Sequence, residues 1–503
     1  MRGDVRWETI PGLLRAAAAE YGDRCALEDG PVSLTFVDLL ARVQQAARGL
    51  YGLEIQPGDR VAIWAPNVWE WVVAALAIHE VGAVLVPINT RYKGEEARFI
   101  LDRAQVKALF TVDGFLGLSF ATMLDRPDLP TVVFRKNWEA FIEAGRDGQA
   151  QVRGDDLSDI LFTSGTTGHP KGVMTSHAQS LRAFSDWSRV VGLQAGDRYL
   201  VVAPFFHCFG YKAGWLACLM AGATVVPHAV FDAAAVLERI STDRISVLPG
   251  PPALYQSFLQ EDLSTTDLST LRLAVTGAAS IPVRLIEQMR DVLGFETVIT
   301  GYGLTEASGI ATMCRFDDDP VTIATTSGRA IPDVEVRVVD PDGTEVVAGQ
   351  PGEVVVRGYN VMCGYLDDPE STAGAVRDGW LHTGDIGIMD ERGYLRITDR
   401  LKDMFICGGF NAYPAEIEHV ILGYPGVTEV AVIGIPDPRL GEVGMAWVVA
   451  REAIDGEQLL AWARERLANF KVPRQVAFVD CLPRNASAKV MKFELRERYD
   501  RMA

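Results

Sequence analysis

The chain has 503 residues, of which 48% are hydrophobic and 23% are charged, so it is long enough for about three domain-sized units with buried cores. Its net charge of −18 and its pI near 4.9 exclude a protein that holds nucleic acid or anionic membranes by non-specific electrostatics. An anionic ligand must therefore be bound by local hydrogen-bond donors and not by the overall field.

The cysteines and apolar runs indicate neither an oxidising nor a membrane environment. The seven cysteines are scattered without a Cys-x-x-Cys pair, so we expect a reducing cytoplasm and neither a zinc site nor a disulfide framework. The sequence near Met1 contains no apolar run of the kind that would predict a signal peptide. Polar residues and Pro87 interrupt the longest apolar region, Trp71 to Ile88, which predicts a helix followed by a buried strand. We expect a cytoplasmic protein without integral membrane association.

Helical and strand-like segments alternate through the first 320 residues. Helical spacing of apolar residues predicts helices over 11–21, 36–52, 213–221, 233–241, 251–260 and 282–294. Strand-like runs occupy 60–64, 83–87, 199–203, 223–227, 245–249 and 271–275. This alternation predicts an α/β architecture of helix-covered, mainly parallel sheets, in which ligands bind at the carboxyl ends of the strands.

A segment without bulky side chains follows the strand-like run 157–161. Hydroxyls and hydrogens can wrap around phosphate oxygens together with the backbone N–H groups, and a lysine adds a cation. No Gly-Lys-Ser/Thr follows Gly165, so the segment is not a Walker loop. A flexible linker is the plain alternative, but a linker would not normally follow an apolar strand and end in Pro-Lys-Gly. The predicted phosphate-binding residues are Thr163, Ser164, Gly165, Thr166, Thr167, Gly168 and Lys171.

A run of aromatic and small residues contains His207, Tyr211 and Lys212. A lone histidine is more often a packed core residue than a functional one, and only its context favours a site here. Lys212 has two readings of equal weight. It either donates a hydrogen bond to a substrate carbonyl, or it caps a helix at the surface or meets a phosphate.

Two glycine-containing strand ends follow in the chain. Gly277, Ala278 and Ala279 end an apolar strand, and their backbone can line a pocket. In the stretch 300–306, Gly301 and Gly303 leave the ring face of Tyr302 free to stack on a base. Thr305 can hydrogen-bond a phosphate, and Glu306 can bind a hard cation through oxygen. Alone, a Tyr-Gly turn is more often only a turn.

The pattern changes after about residue 320. Polar and apolar residues alternate over 333–339, 352–357 and 393–398, which predicts a small antiparallel sheet or β-barrel. Asp385 follows His-Thr-Gly, and Arg400 lies fifteen residues further on. A carboxylate can accept two hydrogen bonds from a vicinal diol while an arginine supplies donors, although Thr-Gly-Asp alone reads as a turn.

A compact unit is predicted beyond residue 399, with helices over 415–422 and 457–467 and strands over 427–435, 444–449 and 475–479. We therefore divide the chain into an N-terminal domain, 1–399, and a C-terminal domain, 400–503. Lys402 stands at its start, and Gly408 and Gly409 leave room for close approach of a ligand. Lys489 stands near its end; a surface lysine is the common case, but its spacing to Pro483 favours a functional role.

These motifs, in this order, resemble the adenylate-forming superfamily of acyl-CoA synthetases, luciferases and adenylation domains over essentially the whole chain. The resemblance implies a large N-terminal domain of two helix-covered sheets plus a small β-barrel, and a small mobile α+β C-terminal domain. It assigns the loop 163–168 with Lys171 to the pyrophosphate end of ATP, Tyr302 to the adenine, and Glu306 with Thr163 to magnesium. Gly277, Ala278, Ala279, Gly301 and Gly303 would line the adenine and acyl pockets.

The same resemblance assigns the C-terminal motifs. Asp385 and Arg400 would bind the ribose hydroxyls, Lys402 would be the hinge, and Gly408 and Gly409 would approach the pantetheine arm of CoA. Lys489 would neutralise the α-phosphate as adenylation proceeds, with Thr305 assisting. The family usually has glycine immediately before this lysine, and Ala488 here could slow adenylation if that position needs a positive φ.

The implied activity is that of an ATP-dependent acyl-CoA ligase that uses Mg²⁺ and has CoA as co-substrate. A carboxylate attacks the α-phosphorus of ATP, and the thiol of CoA then attacks the acyl-adenylate after the small domain rotates about Lys402. The strings around His207 and Lys212 resemble those of the superfamily's CoA ligases of actinobacterial steroid catabolism, which activate a bicyclic indanedione propanoate. His207 would be the gate beside the reacting carboxylate, and Tyr211 and Lys212 would face the ring ketones.

Three alternatives stay open on the sequence alone: a medium- or long-chain fatty acid-CoA ligase, an adenylating enzyme that loads a carrier protein, and a non-catalytic nucleotide-binding protein. The expected partner is a small carboxylic acid and not a nucleic acid. A homodimer is compatible with the sequence, which does not determine the oligomeric state.

Overall fold

The computed structural model describes residues 6–163, 170–277, 281–400, 403–407, 410–412, 414–467, 469–484 and 490–502. The chain folds into two compact units. The first comprises residues 1–336 and 356–381, and the second comprises residues 337–355 and 382–503. The division predicted from the sequence, 1–399 and 400–503, is based on a hinge and not on compactness, and it stays a prediction.

The first unit contains a seven-stranded sheet. The order of its strands is Gly364–Tyr365, Lys171–Ser176, Leu157–Thr163, Val84–Pro87, Arg60–Trp64, Ala108–Thr111 and Thr131–Val133. The last five are parallel to one another, and Lys171–Ser176 is antiparallel to both of its neighbours. Val84–Pro87 and Ala108–Thr111 are buried along their whole length, as expected for parallel strands covered on both faces.

Two four-stranded ladders form a second sheet in the same unit. Their orders are Arg198–Val201, Thr224–Pro227, Cys25–Asp29, Val32–Thr35, and Leu273–Gly277, Thr297–Tyr302, Thr312–Met313, Arg329–Ala330. Val247 forms parallel bridges to Tyr199 and to Leu273 and thereby joins the ladders. The strand predicted over 245–249 is reduced to this bridge, because Pro249 and the prolines after it cannot donate ladder hydrogen bonds. A short ladder pairs Asp113–Phe115 with Leu118–Ser119.

Helices cover these sheets. In the first unit the α-helices are Ile10–Tyr21, Phe36–Gly52, Trp69–Glu80, Gly94–Arg103, Phe120–Leu124, Trp138–Glu143, His177–Val191, Cys208–Gly210, Ala217–Ala221, Ala233–Thr242, Pro252–Phe258, Val283–Asp291, Pro320–Thr325 and Pro369–Ala375. The 3₁₀-helices are Leu263–Thr265 and Thr305–Ala307. The helix predicted over 213–221 is instead a π-helical segment, Tyr211–Leu216, followed by Ala217–Ala221, because Gly214 leaves helical geometry at ψ −107°.

The apolar stretch around Trp71 forms the centre of the first unit. The helix Trp69–Glu80 is buried on all sides and leads into the buried strand Val84–Pro87, as predicted. Trp71 packs against Phe205, Tyr211 and Trp215, which are all fully buried. Among the helices of the described residues, none has the length and apolarity needed to span a membrane.

The second unit has its own sheet and core. Its sheet has the order Phe410–Ala412, Phe405–Cys407, Gly441–Ala450, Val427–Asp437, and Gln475–Phe478 pairs in parallel with Gly441–Ala450. Its helices are Pro414–Leu422, Gly456–Arg464 and Lys492–Met502. Buried residues such as Ile417, Val432 and Trp447 form its core. The structure contains each helix and strand predicted beyond residue 399, so these predictions are confirmed.

A further sheet contributes residues to both units. Its strands are Val334–Val339, Pro351–Gly358, Trp380–Met389, Val376–Arg377 and Leu395–Arg400. Trp380–Met389 is antiparallel to Val376–Arg377 and to Leu395–Arg400. This is the small antiparallel sheet predicted from the alternating segments.

Two histidines are buried in the first unit. The ring of His79 meets that of His177 edge-on, with their centroids 5.3 Å apart, and both residues are buried. The backbone N–H of Ile10 donates to Nδ1 of His177 at 3.4 Å. Burial lowers the pKa of His177 to about 4. Burial, together with His177 and the charge of Lys212, holds the pKa of His79 well below its ordinary value.

We expect His177→Asn to flatten the pH dependence of stability, because asparagine keeps an acceptor for Ile10 but does not titrate. An unfolded histidine has a pKa near 6.5, so between pH 6.5 and pH 4 the unfolded wild-type chain binds a proton that the folded chain does not. As the pH falls from 6.5 to 4, this residue therefore lowers the free energy of unfolding of the wild type by about 3 kcal/mol. Urea unfolding at several pH values measures the slope, with the exposed His419→Asn as control. An equal slope in wild type and His177→Asn would contradict the burial argument.

Candidate active site

The two ends of the predicted phosphate loop are held together by the seven-stranded sheet. Thr163 and Lys171 are opposite residues on the antiparallel strands Leu157–Thr163 and Lys171–Ser176. The segment between them is therefore fixed at both of its ends by this strand pairing. Of the predicted loop residues, Ser164, Gly165, Thr166, Thr167 and Gly168 lie outside the described residues.

Lys171 and Glu306 lie on either side of one tyrosine. Nζ of Lys171 donates to Oγ of Ser371 at 2.8 Å and lies 5.1 Å from the centroid of the Tyr365 ring. The hydroxyl of Tyr365 donates to Oε1 of Glu306 at 3.0 Å. A cation, a carboxylate and the phenol between them are thus assembled next to the anchored loop.

The chemistry of this cluster suits a phosphate and a hard cation. Burial, together with the charge of Glu306, raises the pKa of Tyr365, so the phenol stays a neutral donor. The Glu306 carboxylate keeps oxygen lone pairs beyond the one that Tyr365 uses. Sequence reasoning found Lys171 and Glu306 but missed Tyr365 and Ser371. The Gly364-Tyr365 pair carried no polar pattern, and its importance comes from pairing with the strand Lys171–Ser176.

The two predicted glycine-containing strand ends lie side by side. Gly277 and Gly301 are opposite residues on the parallel strands Leu273–Gly277 and Thr297–Tyr302. A Cβ at Gly277 would lie 3.0 Å from the carbonyl oxygen of Gly301, and one at Gly303 would clash with the carbonyl of Gly309. These glycines therefore permit close packing of backbone, which leaves peptide groups at the strand ends. Ala278 and Ala279 lie outside the described residues.

Asn67, a residue that the sequence analysis did not single out, fixes the backbone just before His207 through hydrogen bonds. The amide nitrogen of Asn67 donates to the carbonyls of Val201 and Ala203, both at 2.9 Å. The amide oxygen of Asn67 accepts from the N–H of Phe205 at 2.8 Å. All three bonds of this buried side chain go to backbone, so Asn67 sets the path of the chain that leads to His207.

His207 and Cys363 combine an exposed side chain with a shifted pKa. Both are exposed. Burial by surrounding protein nevertheless lowers the pKa of His207 and raises that of Cys363. Nδ1 of His207 accepts from the N–H of Phe209 at 3.2 Å, which fixes the ring. The exposed imidazole is thus held in one orientation next to the buried residue Cys208.

Cys208, the residue after His207, forms a hydrogen bond with Thr305. Burial raises the pKa of the Cys208 thiol to about 11, and a hydrogen bond with Thr305 and the charge of Lys212 oppose that rise. Thr305 precedes Glu306 in the 3₁₀-helix Thr305–Ala307. The structure thus brings together the elements that carry His207, Lys212, Thr305 and Glu306, as expected if they serve one site.

Lys212 is fully buried, and its ammonium lies 3.0 Å from Oδ1 of Asp159, which is also fully buried. The alternative in which Lys212 caps a helix at the surface is therefore wrong, because the whole π-helical segment Tyr211–Leu216 is buried. The alternative in which it meets a phosphate stays a prediction. A buried ion pair is costly to desolvate, and the loss of one partner costs about 3–5 kcal/mol. Asp159 was missed because it sits in the apolar strand Leu157–Thr163, where a polar residue has no distinctive spacing.

The predicted partner of Lys212, Tyr211, is internal as well. Its hydroxyl lies 3.0 Å from Nε2 of His79, and its ring stacks on Trp215 at a centroid distance of 4.8 Å. Burial and the charge of Asp159 hold the pKa of Tyr211 well above its ordinary value. Tyr211 is thus a neutral member of a buried polar group.

The second unit holds the predicted ribose-binding pair. Asp385 is buried on the strand Trp380–Met389, and the residue opposite it on the antiparallel strand Leu395–Arg400 is Arg400. The backbone before Asp385 is fixed by Glu353, which accepts from the N–H of Gly384 at 3.1 Å and lies 2.8 Å from Nδ1 of His382. The register therefore confirms that Asp385 and Arg400 are neighbours.

The remaining predicted residues of the second unit, Lys402, Gly408, Gly409 and Lys489, lie outside the described residues. Their surroundings are ordered by pairing. Arg484 and Val490 form an antiparallel bridge on either side of the segment that contains Lys489. Phe405–Cys407 and Phe410–Ala412 pair on either side of Gly408 and Gly409.

Comparison with known proteins agrees with this arrangement of motifs. Residues 14–366 match the AMP-binding enzyme family, and residues 416–489 match the AMP-binding enzyme C-terminal domain. The chain therefore belongs to the AMP-binding enzymes, and it is an ATP-dependent, AMP-forming acyl-CoA ligase.

Two relatives carry one name, 3-[(3aS,4S,7aS)-7a-methyl-1,5-dioxo-octahydro-1H-inden-4-yl]propanoyl:CoA ligase. The protein from Rhodococcus jostii is 51% identical, with 97% of this chain and 98% of the relative covered. That from Mycobacterium tuberculosis is 52% identical, with 99% and 100% covered. The solved o-succinylbenzoate CoA synthetase of Bacillus subtilis, in complex with ATP and a magnesium ion, has a TM-score of 0.85 at 28% identity, covering 96% of this chain and 99% of that chain.

We expect Tyr365→Phe to raise the concentration of Mg²⁺ needed for half-maximal ATP–pyrophosphate exchange by about tenfold, because a hydrogen bond that orients a carboxylate is lost while the ring beside Lys171 remains. Tyr359→Phe is the matched control, since the hydroxyl of Tyr359 donates to Asp186 at 2.8 Å. That variant should lose stability without a change in Mg²⁺ dependence. A normal Mg²⁺ dependence in Tyr365→Phe would remove Tyr365 from the site.

Proposed function

We propose that this ligase activates a bicyclic propanoate of steroid origin that carries ring ketones. The observation that carries the proposal is the fully buried ammonium of Lys212, which is paired to the equally buried carboxylate of Asp159. An alkyl chain offers such a cation no acceptor, whereas a ring ketone does. Two relatives over the full length are named for the dioxo-octahydroindenyl propanoate, which supports the same substrate class here.

The reaction proceeds in two displacements. An oxygen of the acid's carboxylate attacks the α-phosphorus of ATP, and the bond to pyrophosphate breaks, which gives the acyl-adenylate. The thiol of CoA then attacks the acyl carbon, loses its proton, and AMP leaves with the electron pair of the anhydride bond. Both steps develop charge on phosphoryl oxygens, so fixed cations and hydrogen-bond donors accelerate them.

Residues of the first unit bind and orient the nucleotide. We assign Lys171 and the loop that it borders to the β- and γ-phosphates, and the backbone at Gly277, Gly301 and Gly303 with the ring of Tyr302 to the adenine. Thr305 donates to the α-phosphate. Its neighbour Glu306 fits a magnesium site, because Tyr365 holds its carboxylate in place, and Thr163 supplies a hydroxyl. When bound, magnesium would neutralise phosphate charge.

Residues of the second unit complete the chemistry. Asp385 accepts from the ribose hydroxyls and Arg400 donates beside it, which their cross-strand pairing supports. We assign Lys489 to the α-phosphate during adenylation. Lys402 is the hinge of the rotation that precedes thioester formation, and Gly408 and Gly409 admit the pantetheine arm of CoA.

His207 acts as a neutral gate. Because burial lowers the pKa of His207, its imidazole is uncharged at neutral pH. It does not form an ion pair with the incoming carboxylate, which stays free to attack phosphorus. Tyr211 supports the acyl pocket from behind through its bond to His79.

We expect the purified enzyme to form the CoA thioester of the bicyclic diketo propanoate with a kcat/KM at least about 100-fold above that for medium- and long-chain fatty acids or aromatic acids. A parallel assay of AMP release with each acid, with and without CoA, measures this. Equal activation of a medium-chain fatty acid would overturn the substrate assignment and favour the fatty acid ligase. AMP release that does not depend on CoA would indicate another acyl acceptor.

Lys489→Ala is expected to reduce carboxylate-dependent ATP–pyrophosphate exchange by at least about 100-fold, because the α-phosphate loses a cation in the transition state. Thioester formation from supplied acyl-adenylate should persist, since that half-reaction does not use this lysine. The control is Lys492→Ala, whose ammonium lies 2.8 Å from Glu418. Loss of both half-reactions in Lys489→Ala alone would contradict the assignment.

A further inference from the structure

The carboxylate of Asp159 is held on two sides. Its Oδ2 accepts from the hydroxyl of Ser158 at 2.7 Å and from that of Ser180 at 3.5 Å, and Ser158 and Ser180 are fully buried. Its Oδ1 faces Nζ of Lys212 at 3.0 Å. Both hydroxyls donate to the carboxylate, so its position is fixed.

Lys212 has more donors than its surroundings satisfy. An ammonium carries three N–H groups, and the Asp159 carboxylate is the polar group that faces them. Nζ lies 5.7 Å from the centroid of the Tyr211 ring, which adds attraction but no acceptor. Within the described part of the chain, Nζ has no hydrogen-bond partner of good geometry. Buried donors of this kind are normally satisfied, so Lys212 keeps the capacity to donate to a further acceptor.

Asp159 is also the charged group in this neighbourhood. His79, on the helix Trp69–Glu80, lies close enough to Lys212 for its charge to affect the histidine's pKa, but burial keeps that imidazole neutral. Cys208 and Tyr211 lie on the same segment as Lys212. Burial raises the pKa values of both residues and of Cys363, which keeps all three neutral. The charge of Glu306 also affects the pKa of Cys208, but Asp159 is the carboxylate that contacts Lys212 directly.

We propose that Asp159 is a positioning residue for substrate specificity: it keeps Lys212 protonated and oriented so that the remaining N–H groups bind a ring carbonyl of the acid. The inference rests on the proposed function and deepens it. An acid with a methylene group in place of the ketone leaves the buried ammonium without an acceptor and is rejected. The polar pair thus selects against alkyl acids as well as for keto acids.

The test compares two acids, the bicyclic diketo propanoate and the same acid with its ring ketones replaced by methylene groups. In Asp159→Asn the ratio of their kcat/KM values should fall by about 10- to 100-fold at pH 8, because a buried lysine without a counter-ion loses its proton. The ratio should recover as the pH is lowered to 6 and Lys212 is protonated again. Lys212→Met should lose the preference at every pH.

Two controls separate this role from a structural one. Asp197→Asn removes another buried carboxylate of the first unit, one paired to Arg272, and should lower stability without changing the ratio. The double variant Asp159→Asn with Lys212→Met is uncharged and close in shape to the native pair, so it should fold even where Asp159→Asn does not, and its ratio should equal that of Lys212→Met.

Each outcome decides a separate point. A wild-type ratio in Asp159→Asn, or keto preference retained by the double variant, would overturn the role of Asp159 and Lys212 while the substrate assignment stands. A ratio that falls in Asp159→Asn but does not recover at pH 6 would overturn control of the Lys212 charge. If the wild type shows no preference for the bicyclic acid over fatty acids, the proposed function itself fails.

Discussion

The pairing of the strand Lys171–Ser176 between Leu157–Thr163 and Gly364–Tyr365 is the constraint on which the rest of the site depends. One ladder fixes the two ends of the phosphate loop, carries Lys171, and brings Tyr365 to Glu306. The same strand Leu157–Thr163 carries Asp159, which pairs with Lys212. The positions of the residues proposed for phosphate, cation and acyl binding are therefore set by backbone hydrogen bonds between three adjacent strands, and a shift in register would displace them together.

Local donors and not overall charge hold the anionic ligands of this acidic chain. At a net charge of −18, long-range attraction works against ATP, a carboxylate and CoA alike. The structure compensates with cations in poorly solvated places. Lys171 is fixed by Ser371 and Tyr365, and Lys212 by Asp159. In such surroundings a single fixed cation acts more strongly than it would in water.

The departures from the predicted elements have physical causes that act outside the local sequence. The run 245–249 has strand-like residues, yet only Val247 bridges its neighbours because prolines follow it. The run 213–221 has helical spacing, yet its start is π-helical and breaks at Gly214. Every residue of the π-helical segment Tyr211–Leu216, including Lys212, is buried. Helical spacing alone placed Lys212 equally well at the surface, because periodicity does not report which partner a side chain meets.

The sequence by itself determined the family, the α/β architecture and the order of the motifs. It also predicted residues for the nucleotide, because such roles require particular residue types at fixed local spacings. Only the tertiary structure decided which residues orient them: Asn67 beneath the His207 segment, Tyr365 against Glu306, and Asp159 against Lys212. These partners lie far apart in the chain and are joined by strand register, buried hydrogen bonds and charge. Such pairings have no local signature, since they exist only once the sheet has formed.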